Sequence, residues 1–166
     1  MTLKRSVAGV ALAAALVTGA STVPAEAATS VSVQAEALAR PANGKILYAG
    51  ISGGSGVLKV KNGTKRDAVV TLVRGKSKAI SIYIRAKSTA KVSSVVDGTY
   101  RIYFTSGYRY STSKRRFTKS ASYQRFDDRL RFSTSSTSYS IWTLTLQPVV
   151  GGNASTSGVN PKDFPV

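Results

Sequence analysis

The sequence has no cysteine and no histidine, and only one methionine and one tryptophan. Each absence removes a class of chemistry. Without Cys no disulfide can form. Without His or Cys, neither a Ser-His-Asp nor a Cys-His triad can be assembled. The usual ligands of zinc, copper, haem iron and iron–sulfur clusters are missing for the same reason. Acidic residues are scarce, 7 against 24 Lys+Arg, and the formal net charge is +17. Paired-carboxylate catalysis and multi-carboxylate calcium sites therefore have little to draw on. No apolar run reaches the roughly 20 residues of a membrane-spanning helix.

What is present starts with a leader. Lys4 and Arg5 precede an apolar stretch from Val7 to Ala20, and Ala25-Glu26-Ala27 fits the small-x-small cleavage pattern. That order of charge, apolar run and cleavage site predicts a signal peptide over residues 1–27, cut before Ala28. The mature protein is then secreted and extracellular. Losing the leader removes Lys4, Arg5 and Glu26 and leaves a net charge of +16. Exported domains of this size often rely on disulfides, so this one must rely on apolar packing alone.

Residues 28–55 read as a mostly disordered linker. No period of 3.6 runs through them, Pro41, Asn43 and Gly44 interrupt them, and Ser52 to Gly56 contains only Ser and Gly. A short strand near Ile46 is the one element they suggest. From Val57 the pattern becomes period two. Leu58 and Val60 alternate with Lys59 and Lys61, and Asn62-Gly63 reads as a turn. Residues 68–73 are apolar on both faces, and Arg74 to Ser77 reads as the next turn. Ile80, Ile82 and Ile84 alternate with polar or amphipathic neighbours. Val92 and Val95 mark a weaker strand. After Asp97-Gly98, Tyr100, Ile102 and Phe104 line one face. Residues 106–122 read as a basic, aromatic loop. Phe126, Leu130 and Phe132 then share a face, and Trp142, Leu144 and Leu146 alternate with Thr143 and Thr145 in a last strand.

Strands at this spacing predict an all-β fold: a single antiparallel β-sandwich of about seven strands, Ig-like or transthyretin-like, over residues 56–148. Trp142 and Leu146 belong to its expected core. Residues 149–166 read as an extended tail.

The motifs LKVKNG (58–63), DAVVTLV (67–73), DGTYRIYF (97–104), RRFT (115–118) and WTLTLQPVVGGN (142–153) resemble a recurring domain of small secreted actinobacterial proteins. Asp97-Gly98-Thr99-Tyr100 before an alternating strand is also similar to the Gly-x-Tyr turn of transthyretin-like and carboxypeptidase-regulatory-like sandwiches. Both resemblances imply the sandwich. Neither carries catalytic residues.

Candidate chemistry is limited. Asp127 and Asp128 are adjacent, so within a strand they point to opposite faces and cannot flank one glycosidic bond. They are expected to offset Arg125, Arg129 and Arg131. Ser111-Thr112-Ser113-Lys114 fits Ser-x-x-Lys by letter, but in an expected loop and without companion motifs. Gly50 to Gly56 lacks the Gly-Lys-Ser/Thr ending of a phosphate loop. No metal, cofactor or catalytic residue is expected. The informative stretch runs from Arg101 to Arg131, with nine basic and two acidic residues. Arg109, Lys114, Arg115, Arg116, Lys119, Arg125, Arg129 and Arg131 are the expected contacts to an anionic polymer, with Tyr108, Tyr110 and Phe117 as aromatic contacts. Basic and aromatic side chains together neutralise phosphates and stack on bases or sugars.

The expectation is therefore a secreted, monomeric, non-enzymatic basic protein. Its partners would be wall phosphate polymers, nucleic acid or an anionic lipid surface. The rival readings are a protein–protein module, of inhibitor or adhesion type, displaying the 106–122 loop, and a cofactor-free hydrolase.

Overall fold

The structure is a computed structural model that describes residues 40–147 and 154–166, all within the compact unit Glu36–Val166. The expected signal peptide and the first part of the expected linker lie outside the described residues.

All regular structure described is strand. In chain order the elements are β1 (Ile46–Ala49), β2 (Gly56–Asn62), β3 (Asp67–Arg74), β4 (Ser77–Ile84), β5 (Ser88–Val95), β6 (Gly98–Ser111), β7 (Arg116–Phe132), β8 (Ile141–Thr145) and β9 (Thr156–Gly158). Six of them form a sheet in the order β1-β4-β3-β6-β7-β9, with every pairing antiparallel. The other three form the sheet β5-β2-β8. The two sheets pack into a β-sandwich. Two features depart from the simplest expectation. Within the small sheet β2 and β8 run parallel. Nine strands form among the described residues rather than about seven: β1 is the short strand suggested near Ile46, and β9 forms in the stretch read as tail.

The local sequence explains the elements. β3 is buried from Ala68 to Val73 because both of its faces are covered. β3 and β4 are joined by a two-residue turn in which Gly75 has φ +62°, a conformation Gly adopts without steric cost. Asn62 ends β2 where the chain crosses between sheets. It is 1% exposed, and its amide donates to the Arg66 and Arg85 carbonyls at 2.7 and 3.1 Å.

Between the sheets, Val70, Leu72, Ile80, Ile82, Ile84, Tyr100, Ile102, Phe104, Phe126, Leu130 and Phe132 meet Leu58, Val60, Val92, Val95 and Leu144. Each such side chain contributes about 1.5–3 kcal/mol on full burial, and this packing stands in for disulfides. The Tyr100 hydroxyl donates to the Val96 carbonyl at 2.7 Å and closes one end of the core. Trp142 does not join it. The tryptophan lies on edge strand β8, 39% exposed, and its indole N–H donates to the Arg131 carbonyl at 2.9 Å. Its polar edge has found a partner that a place in the core would have denied it. Leu146 is only partly buried against the core.

The expected loop at 106–122 is instead the distal half of a long hairpin. β6 and β7 are 14 and 17 residues long, and Ser111 pairs with Arg116 across the tip. The register shifts between Ser106 and Tyr108, and Arg109 and Ser120 adopt φ +54° and +51°. Such bulges bend a hairpin. A Cβ at Gly107 would sit 2.7 Å from the Phe117 Cβ, so the bend needs glycine there for close approach. The tip consequently folds onto the outer face of the large sheet. Tyr110 and Phe117 pack on Val69 and Tyr83 as a second, smaller core, with Leu47 against it. The Tyr83–Tyr110 and Tyr110–Phe117 ring centroids are 5.3 and 5.2 Å apart, both edge-on. Further along the same face, Phe164 packs edge-on against Tyr103 and Tyr123.

Candidate functional site

The hairpin bend opens a cleft of about 770 Å³ lined by Arg40, Lys65, Asp67, Tyr83, Tyr108, Arg109, Tyr110 and Lys119. Asp67, the first residue of β3, is at its base. It receives the Arg40 Nε at 2.8 Å, a second Arg40 guanidinium N–H, the Tyr83 hydroxyl, and the Ala86 backbone N–H at 2.8 Å. Burial pushes the Asp67 carboxyl up, but the hydrogen bonds from Arg40, Tyr83 and Ala86 outweigh it and hold it below its usual value. Burial and the adjacent Asp67 push the Tyr83 phenol well above its usual range. Asp67 is therefore ionised and Tyr83 protonated throughout the neutral range. The network is structural, and its carboxylate is already occupied by Arg40, which makes the one ion pair among the described residues.

The cations around that base are differently placed. Lys65 and Arg66 come from the β2–β3 connection. Arg109 and Lys119 come from the two sides of the bend, where Tyr108 pairs with Lys119. The Arg66 guanidinium lies 5.7 Å from the Tyr108 ring centroid and donates to the Ser120 carbonyl at 3.3 Å. Tyr108 remains 41% exposed. Lys65, Arg109 and Lys119 have no carboxylate within ion-pair distance among the described residues. Like charges held together by the fold repel one another, and a multivalent anion relieves that repulsion.

The residues expected from the sequence divide into groups. Tyr108, Arg109 and Lys119 come together in the cleft. Tyr110 and Phe117 are 6% and 3% exposed and belong to the small outer core, so Phe117 is a packing residue and not a contact, and Tyr110 only walls the cleft. They are buried because the bend turns their faces onto Val69 and Tyr83. Lys114 and Arg116 are exposed at the hairpin tip, and Arg115 lines a separate cavity. Arg125, Arg129 and Arg131 stand along β7, opposite Tyr103, Arg101 and Thr99. They face away from the inner core and do not line the cleft.

Lys65, Arg66 and Arg40 are site residues that the sequence pattern misses. Lys65-Arg66 follows a turn signal and carries no aromatic neighbour. Only the hairpin bend brings them to Tyr108. Asp127 does not pair with the arginines beside it. It accepts from the Ser157 hydroxyl, and hydrogen bonds from Ser157 and Ser155, more than the charge of Arg125, lower its carboxyl. The Ser111 hydroxyl accepts from the Lys114 backbone N–H at 3.2 Å, which is ordinary turn bonding. Among the described residues no three His, Cys, Asp or Glu side chains are grouped to hold a metal ion.

Compared with known proteins, the chain matches no family model, no curated protein and no solved structure.

Proposed function

We propose that this protein is an exported, non-enzymatic β-sandwich that binds linear phosphate-bearing polymers of the cell envelope or extracellular space. One observation carries the reading: Lys65, Arg109 and Lys119 line one cleft with the exposed Tyr108, the Arg66 guanidinium lies by the Tyr108 ring, and the one carboxylate lining the cleft is engaged by Arg40. Successive phosphates would replace the counterions of the four cations, and Tyr108 would cover the sugar or polyol between them. Affinity then comes largely from counterion release and falls with salt. The strongly positive net charge speeds encounter with any polyanion, and the cleft selects where it settles.

The test is a titration of linear polyphosphate into ¹⁵N-labelled protein, with uncharged dextran as control. The expected result is amide shifts concentrated at Lys65, Arg66, Tyr108, Arg109 and Lys119. Shifts spread evenly over every basic residue, or none at all, would overturn the proposal.

A further inference from the structure

The small sheet also has an outer face, on the opposite side of the sandwich from the cleft. Along β2, Leu58 and Val60 are buried in the core, so Lys59 and Lys61 point outward and are exposed. β5 brings the exposed Lys91 directly opposite Lys59. β8 places Thr143 beside Lys59 and Thr145 beside Lys61. Paired residues share a face, so these five side chains form one layer. Ile141, the first residue of β8, continues that row and is 61% exposed, and Tyr139 just before it is 52% exposed.

β2, β5 and β8 contain no Asp or Glu. Asp97, two residues past the end of β5, accepts from the Thr134 backbone N–H and hydroxyl at 2.9 and 2.8 Å, and so is already engaged. None of the three lysines has a carboxylate within ion-pair distance among the described residues. The arrangement costs stability. Directly opposed residues such as Lys59 and Lys91 have Cβ atoms about 5 Å apart, where like charges destabilise. Lys61 follows about 7 Å further along the same strand. Lysine on an edge strand guards against unwanted pairing, which accounts for Lys91. Lys59 and Lys61 are on the central strand, where no edge needs guarding. Solubility is served by charges of mixed sign, not by three of one sign in one layer.

We infer that the outer face of the small sheet docks on an anionic lipid bilayer, with Lys59, Lys61 and Lys91 against the headgroups and Ile141 and Tyr139 entering the interface. A single layer of side chains on a sheet fits a plane better than a chain. The exposed Ile141 and Tyr139 favour lipid over a second polymer, because a hydrated polyphosphate offers them no apolar contact, whereas amphipathic rings settle at headgroup level. The cleft is on the opposite side, so the two surfaces stand or fail independently, and a docked molecule keeps its cleft open to solvent.

The experiment measures co-sedimentation with vesicles of equimolar phosphatidylglycerol and phosphatidylcholine, with pure phosphatidylcholine vesicles as the neutral control. Wild type is expected to partition onto the anionic vesicles and not onto the neutral ones. Lys59→Gln/Lys61→Gln/Lys91→Gln is expected to bind on the order of a hundredfold more weakly, from about fivefold for each lysine near an anionic surface. Lys65→Gln/Arg109→Gln/Lys119→Gln removes the same charge from the cleft. It is expected to stay within about threefold of wild type, since salt screens charges on the far side from the lipid. Ile141→Ser is expected to bind about tenfold more weakly, from apolar area left in water. All seven side chains are exposed, so the variants should fold as wild type does. Absence of partition onto the anionic vesicles would overturn the inference. So would equal losses in the two triple variants, which would show net charge alone at work, or wild-type affinity in Ile141→Ser. Linear polyphosphate shifting the Lys59, Lys61 and Lys91 amides as strongly as those of the cleft would mark a polymer face and overturn it too.

Discussion

Asp67 joins three parts of the chain that are distant in sequence: Arg40, Tyr83 and the Ala86 backbone. Its carboxyl is held below the usual value. The stability it contributes is therefore present above the unfolded value of 3.8 and is lost as pH falls through the depressed folded value. Asp67→Asn should cost about 2 kcal/mol at pH 7, the order expected for hydrogen bonds to a charged group. The gap between wild type and variant in urea denaturation should narrow below about pH 4. A gap that stays constant to pH 2 would show that ionisation of Asp67 contributes nothing. Arg109 makes the opposite case. Its backbone has φ +54°, which costs a residue with a Cβ about 1 kcal/mol. Arg109→Gly should leave the denaturation midpoint level or higher while weakening polyphosphate several-fold. A variant both less stable and equally tight would show that Arg109 serves the fold and not the ligand.

At the scale of the element, the β6–β7 hairpin decides whether either cavity exists. Gly107→Val would drive a side chain into Phe117 and should destabilise by about 1–3 kcal/mol. The effect should be local. Hydrogen exchange at Tyr110 and Phe117 should quicken greatly while the β2–β5 amides keep their protection, since sub-global opening need not break the inner core. Uniform loss of protection would mean that the tip is part of one cooperative unit. This hairpin also marks where sequence reasoning stops. The strands that build the inner core are legible because each shows its own alternation: Ile80-Ile82-Ile84 and Tyr100-Ile102-Phe104 are local patterns. The outer core is not, because Val69, Tyr83, Tyr110 and Phe117 come from four strands. They meet only when the register shift between Ser106 and Tyr108 and the bend at Gly107 put them on one side. Residues 106–122 look like a loop because charged residues crowd the tip and the bulge breaks the alternation. Trp142 is the converse: its alternation is real, but an edge strand with an available carbonyl exposes it.

For the whole molecule, the charge is legible from composition, and its distribution only from the fold. Tyr108, Arg109 and Lys119 are recognisable as a basic-aromatic cluster. Lys65 and Arg66 are more than 40 residues from Tyr108 in sequence and join it only through the bend. Conversely, Arg129 and Arg131 are close to that cluster in sequence but stand opposite Arg101 and Thr99, towards the other end of β7. A strongly positive net charge attracts polyanions wherever it lies, so the central claim is that the cleft, and not net charge alone, does the binding. The most direct measurement compares two triple variants that remove equal charge. One is Lys65→Gln/Arg109→Gln/Lys119→Gln in the cleft, and the other is Arg101→Gln/Arg129→Gln/Arg131→Gln on the outer face. Polyphosphate affinity is measured for each as a function of salt. The account predicts that the cleft variant loses about 2 from the slope of log affinity against log salt, from three lost phosphate contacts at ~0.7 each on the nucleic-acid scale, and that the outer-face variant keeps a slope close to wild type. Equal losses in the two variants would contradict it.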